Sequence, residues 1–288
     1  MDTAVLTFLA APFVASLVIA GIHAYLGVHV VERGVIFVDL SLAQIAAFGA
    51  AIALLPPISA ADPHGPTVYW VSLVFTFIGA VLFSMIRSRR ARIPQEAIIG
   101  IAYAVASAAA ILAMSKATAE SEHLKDMLVG NILAVSWDEV AKTALLYAAI
   151  GAFHYIFRDK FLMISMDPER AEREGVSLRL WDFLFYMSFG FVVTRSVSIA
   201  GVLLVFCYLI VPSVAAMLYA DRIGPRLAIG WTMGTVVSAL GVYLSLQLDL
   251  PTGATIVCTF GLVLIIMAAV RPLFQRATAG PKGPALQR

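Results

Sequence analysis

Apolar runs of membrane-crossing length recur along almost the whole chain, and no other feature narrows its fold so far. They cover residues 5–26, 35–55, 68–86, 97–114, 140–157, 181–195, 201–220, 227–246 and 254–270. A bilayer core about 30 Å thick takes roughly 20 apolar residues in a helix. Backbone donors and acceptors in lipid find no water and must pair within their own segment, so each run is expected to be helical. Charged residues make up only 13% of the chain; a soluble domain carries about 25%. The expected fold class is therefore an all-α polytopic membrane protein with eight or nine transmembrane helices. Residues 1–272 form a single transmembrane domain, and the Gly/Pro-rich residues 273–288 read as a disordered cytoplasmic tail. The first run has no basic leader and no clear small-residue cleavage site, so it is expected to remain as a span.

Lys and Arg in the connections set the orientation. An outside N-terminus places inside Arg33; Arg87, Arg89, Arg90 and Arg92; Arg158, Lys160, Arg170, Arg173 and Arg179; Arg222 and Arg226; and Arg271, Arg276, Lys282 and Arg288. Only Lys116 and Lys125 then fall outside, while Lys142 and Arg195 stand near span ends. One missed or invented span would invert every later loop, so the asymmetry predicts N-out and C-in. The net charge of +2 shows no basic face for nucleic acid. Cys207 and Cys258 both lie in apolar runs and read as packing residues, not as a disulfide. Among the outer connections, residues 120–140 are expected to hold a short helix. Residues 247–253 are expected to be a tight turn in which Pro251 and Gly253 stop one span and start the next.

The cytoplasmic stretch MDPERAEREGVSLRL, residues 166–180, departs most from the apolar pattern. Asp167 suits a helix cap, Pro168 the first helical position, and Glu169 the positive end of the dipole. Gly175 then supplies a left-handed stop. The spacing predicts a charged helix of about two turns within residues 166–176. An isolated helix this short is unstable in water, so its own membrane ends or a partner must hold it. By itself the stretch reads either as a solvated loop or as a coupling helix that docks into a motor subunit.

Five segments, in order, give a resemblance. DPERAEREGV (167–176) resembles the D-P-E-x-A-x-x-x-G-[IV] segment of metal-ion ABC transporter permeases of the zinc/manganese type. EAIIGIAYAVASA (96–108), VGNILAVSWDEV (129–140), AGVLLVFCYLIVPSVAAML (200–218) and LDLPTGATIV (248–257) are similar to further segments of that family. The resemblance implies the ABC importer permease fold and a place in the bacterial inner membrane. It also implies a second permease copy, a cytoplasmic ABC ATPase and an extracytoplasmic binding protein as partners, with lipid around the assembly. ATP is expected to be used by the partner subunit, because this chain has no G-x-x-x-x-G-K-[ST] phosphate loop. No cofactor is expected on the chain itself, and it is not expected to be an enzyme. Asp167, Pro168, Glu169, Ala171 and Gly175 are the residues the resemblance assigns to ATPase coupling. Pro212 frees a carbonyl four residues earlier and is a hinge candidate, the alternative being a plain structural kink.

The second span departs from the family. The zinc and manganese permeases carry a D-x-x-[SA]-H pattern there, which places a carboxylate and an imidazole on one helical face. This chain reads VDLSLAQIAAFG (38–49), with Leu40 and Gln44 where the acid and histidine belong. Asp39 stands one position early. A carboxylate inside a span is costly and faces a cavity or a partner, so Asp39 is the metal candidate, the alternative being a structural pairing with another polar group. Ser41 and Gln44 complete the candidate substrate pathway. His23 and His154 read as hydrogen-bonded packing residues, and Glu120, Glu122, His123 and Asp126 as a solvated acidic patch at the outer mouth. Arg195 is expected at the interfacial end of its helix. The expected function is ATP-driven import of Zn, Mn or Fe as a divalent ion. Alternatives are a chelated metal or non-metal solute carried by the same fold, and an ATP-independent secondary transporter or channel. No HExxH or GxSxG pattern supports a membrane enzyme.

Overall fold

The computed structural model describes residues 3–58, 60, 65–86, 94–114 and 132–278. Those residues form eleven α-helices and one 3₁₀ turn, without a strand among them. The helices are α1 (Thr3–Arg33), α2 (Val38–Ala53), α3 (Pro66–Ile86), α4 (Gln95–Met114), α5 (Trp137–Ile156), α6 (Arg158–Met166), α7 (Pro168–Arg173), α8 (Leu178–Ala200), α9 (Val202–Met217), α10 (Ile223–Leu248) and α11 (Thr252–Thr278). Each of the nine apolar runs is one helix, and α6 and α7 are additions between the fifth and sixth. By length and apolarity six helices can cross a membrane, or seven when α5 and α6 count as one span bent by 75°. The remaining two, α2 and α9, have 16 residues each, fewer than the roughly 20 a straight crossing needs.

Several boundaries differ from the expected ones for visible reasons. The sixth run seemed short because α8 is rich in polar residues, yet it spans 23 residues. Those polar groups have partners in the core: Thr194 with Thr76 at 3.1 Å, Ser188 with His154 at 2.8 Å, and Ser196 with Tyr147. Arg195 lies within α8 rather than at its end, where its Nε donates to Thr143 Oγ1 at 3.0 Å. At the turn after α10 it is Asp249, not Gly253, that adopts the left-handed conformation, with φ 52°. Gly253 sits inside the first turn of α11. That helix continues to Thr278, so residues 273–278 are helical and not part of a tail. Of the expected outer helix in 120–140, the described residues show a 3₁₀ turn at Ile132–Ala134 followed by the start of α5. Glu120, Glu122, His123 and Asp126 lie outside the described residues.

Because lipid is as apolar as a leucine side chain, the helices associate through close backbone approach and buried polar bonds. Gly27 of α1 rests on α9, where a Cβ would come within 2.0 Å of the Leu209 carbonyl oxygen. Gly49 of α2 meets Ser72 and Phe75 of α3 in the same way. Two groups result: α2 packs with α3, α4 and α8, and α3 with α8, while α1 packs with α9 and α10, and both of these with α11.

Side-chain bonds show which helix ends lie together. Arg33, closing α1, reaches Ser165 of α6 and Asp182 near the start of α8. Glu32 pairs with Arg226 near the start of α10. The Phe37 amide before α2 donates to Glu96 in the first turn of α4, and Gln95 donates to the Phe83 carbonyl late in α3. The ends of α1 and α3 and the starts of α2, α4, α8 and α10 therefore share one end with α6. These are ends that the charge pattern assigns to a single side.

Candidate functional site

The candidate pathway residues are all on α2 and all buried. Asp39 stands in the first turn, 1% exposed, with Oδ1 lacking a hydrogen-bond partner. The Ser41 hydroxyl is also buried without a partner, and Gln44 is buried one turn further on. An ionised carboxylate sheltered this deeply demands a compensating positive charge or several donors. Leu40, the next residue along, is half-buried against the core. The helix is enclosed by α3, α4 and α8, so nearly every face of it is buried.

One positioning residue went unread in the sequence. Phe37 caps α2 without a side-chain bond from the segment itself. Glu96 of α4 supplies the missing acceptor instead, with Oε1 3.0 Å from the Phe37 amide. A negative side chain at a helix N-terminus also suits the dipole. The cap comes from 59 residues away, so no local motif announces it. It fixes the turn that carries Asp39.

The charged stretch forms α7, a helix of six residues closed at both ends. The Asp167 carboxylate accepts from the Arg170 amide at 3.0 Å, and Pro168 occupies the first position. Glu169 stands exposed in the first turn. At the other end Gly175, with φ 73°, donates to the Glu172 carbonyl at 3.0 Å, and Val176 donates to Ala171 at 2.9 Å. These paired bonds are a Schellman closure. Ala171 is fully buried and seats the helix, while Glu169, Arg170, Glu172, Arg173 and Glu174 face outward. Just before it, α6 lays Phe161 and Ile164 into the core and leaves Arg158, Asp159 and Lys160 exposed.

Beneath this charged segment lies a polar group that the sequence reading did not assemble. Arg33 Nη1 donates to Asp182 Oδ1 at 2.7 Å, and both side chains are within 1% of full burial. Arg33 Nε donates to Ser165 Oγ at 2.9 Å, and the guanidinium carbon stands 4.0 Å from the Phe185 ring centre. Ser165 also meets His29 Nδ1 at 2.8 Å. The Ser165 oxygen accepts from Arg33, and the His29 tautomer sets which of Ser165 and His29 donates to the other. His154 is satisfied from both sides, by Ser188 at Nε2 and Tyr25 at Nδ1. His23 donates from Nδ1 to the Ile19 carbonyl at 2.9 Å. Both are hydrogen-bonded packing residues, as expected. Cys207 and Cys258 are free thiols.

Pro212 lies inside α9, which runs through it to Met217. The break between helices comes at Gly201, the single residue between α8 and α9, at φ 75° and ψ 161°. Among the described residues no group of three or more His, Cys, Asp or Glu side chains is arranged to hold a metal ion.

Comparison with known proteins agrees with this arrangement. A family profile described as "ABC 3 transport family" matches residues 5–271. The manganese transport system membrane protein MntC of Listeria innocua is 24% identical over 265 residues, covering 92% of this chain and 91% of its own. The chelated iron transport system membrane protein YfeC of Yersinia pestis is 26% identical over 197 residues, covering 68% and 67%. Among solved structures, PsaBC from Streptococcus pneumoniae in complex with Fab superposes with a TM-score of 0.75 at 23% identity, covering 90% of both chains.

Proposed function

Because the chain belongs to the ABC 3 transport family, we propose that it is the permease of an ATP-driven importer carrying a divalent metal ion across the bacterial inner membrane. A binding protein delivers the ion from outside, two permease copies enclose the path, and a cytoplasmic ATPase drives the cycle. Relatives named for manganese and for chelated iron support a metal cargo. The observation that carries the docking half of this reading is α7. A six-residue helix does not persist alone, yet this one is closed at both ends, seated by one alanine, and turns its charged face away from the bundle.

On the cargo side Asp39 is the acid of α2, and it supplies a hard oxygen. Ser41 and Gln44 carry further oxygens, and no imidazole stands among them. Oxygen donors suit Mn²⁺ better than Zn²⁺, whereas imidazole suits zinc and iron. Manganese is therefore the first cargo to test. Leu40 and Gln44 favour a second reading, import of a chelated metal, in which the chelator brings its own ligands and the permease needs fewer. The ATPase and binding protein should be purified with the permease in a lipid bilayer. Stimulation of ATP hydrolysis by Mn²⁺, Fe²⁺, Zn²⁺ and a ferric chelate then identifies the cargo. Stimulation by none of the four would refute the metal reading.

A further inference from the structure

The last two residues of α1 point their charges at different helices. Arg33 engages Ser165 of α6 and Asp182 of α8. Glu32 engages Arg226 of α10, whose Nε is held in turn by the Ala220 carbonyl at 2.9 Å. The α1 terminus thus ties the segment that carries α7 to the helices on the far side of the bundle. Between α6 and α7 stands only Asp167, so a displacement of α7 is felt at Ser165 within a single helical turn of chain. Beyond Glu32, α1 is locked to α9 where Gly27 lies against the Leu209 backbone.

Stability does not account for the buried pair. Replacing a buried ion pair with apolar groups of similar volume is often neutral or stabilising, whereas losing one partner is costly. The pair defines direction: Arg33 holds α6 through Nε and α8 through Nη1 in one planar fork. Packed elements bridged this way move together instead of sliding apart.

We propose that Arg33, Asp182 and Ser165 form the joint that carries motion of α7 into α1, and that Glu32–Arg226 passes it on to α10. These are positioning residues, acting through the helices they join. The inference rests on the reading of α7 as the ATPase-docking helix.

The test uses the complete transporter in proteoliposomes, measuring Mn²⁺ uptake and ATP hydrolysis together. Ser165→Ala removes the bridging hydroxyl and little volume. The ATPase should still co-purify, hydrolysis should hold or rise, and Mn²⁺ carried per ATP should fall about threefold to tenfold. A wild-type ratio overturns the proposal. If Ser165→Ala fails to accumulate, Arg33→Lys takes its place, since it keeps the charge facing Asp182 and loses the guanidinium fork. A wild-type ratio there overturns the proposal equally. Failure of the docking reading is separately visible: Glu169→Lys in α7 would then co-purify with the ATPase and transport normally. Loss of co-purification in that variant, together with an unchanged ratio in the joint variants, removes the joint alone.

Discussion

Asp39 concentrates the cargo question because its Oδ1 has no protein partner in a helix buried on nearly every side. Asp39→Asn keeps the shape and removes the charge. Protein level should hold while Mn²⁺ uptake falls roughly tenfold or more, since even outer partners of a metal ligand are worth about 10–100-fold. Normal uptake by this variant would show that Asp39 is not a cargo ligand. Leu40→Asp combined with Gln44→His rebuilds the acid–imidazole face of the related permeases, so preference should move toward zinc in the same assay. Gly201 tests the backbone instead. Its φ and ψ fall in a region open to glycine alone, so Gly201→Ala should cost about 1–3 kcal/mol. Thermal unfolding in detergent checks this. Gly151→Ala is the control, since an added Cβ there meets nothing within 4 Å. It should unfold no earlier than wild type, alanine being the better helix former by roughly 0.5–1 kcal/mol.

At the level of elements, local grammar was readable and distant partnership was not. The caps of α7 follow from Asp167, Pro168 and Gly175, and each occupies the place its chemistry requires. The segment ending SWDE is now explained too: Ser136 and Glu139 form a reciprocal capping box that starts α5. The amphipathic α6 was legible in principle, because Phe161, Ile164 and Ser165 recur at helical spacing, but the charges of Arg158, Asp159 and Lys160 masked it. Nothing local could reveal Arg33–Asp182 or Glu32–Arg226, whose partners are 149 and 194 residues apart. The consequence for α7 is a sharp prediction. Gly175→Val forces a β-branched residue into a left-handed conformation and opens the Schellman closure. Glu169→Lys reverses charge in the first turn, on the exposed face. Both chains should insert at normal levels yet lose ATPase co-purification and uptake. If both retain the ATPase and transport normally, α7 is not a docking helix.

For the whole molecule the structure and the charge pattern answer different halves of the topology. Bonds at Arg33, Glu32, Phe37 and Gln95 put the ends of α1 and α3 with the starts of α2, α4, α8 and α10. At the opposite end Arg195, late in α8, meets Thr143 early in α5, and Ser245, late in α10, meets Thr252 at the start of α11. These bonds are those of helices that alternate in direction within one bundle, and by length and apolarity six of them, or seven with α5 and α6 as one bent span, can cross a membrane. Geometry alone leaves the bundle free to face either way. Lys and Arg supply the expectation, because basic residues close to span ends tend to be retained on the cytoplasmic side, and the end that gathers Arg33, Arg179, Arg222 and Arg226 is the basic one. Reporter fusions at Arg90, Glu172 and Arg276 should therefore read cytoplasmic, and fusions at Ala61, Ser121 and Asp249 external. The Asp249 fusion is the most discriminating, since it lies after eight apolar helices and an odd error anywhere upstream reverses it. A cytoplasmic signal there would place α7 outside with every other end of its group, beyond reach of any ATPase. The docking reading and the joint behind it would fall together on that single result.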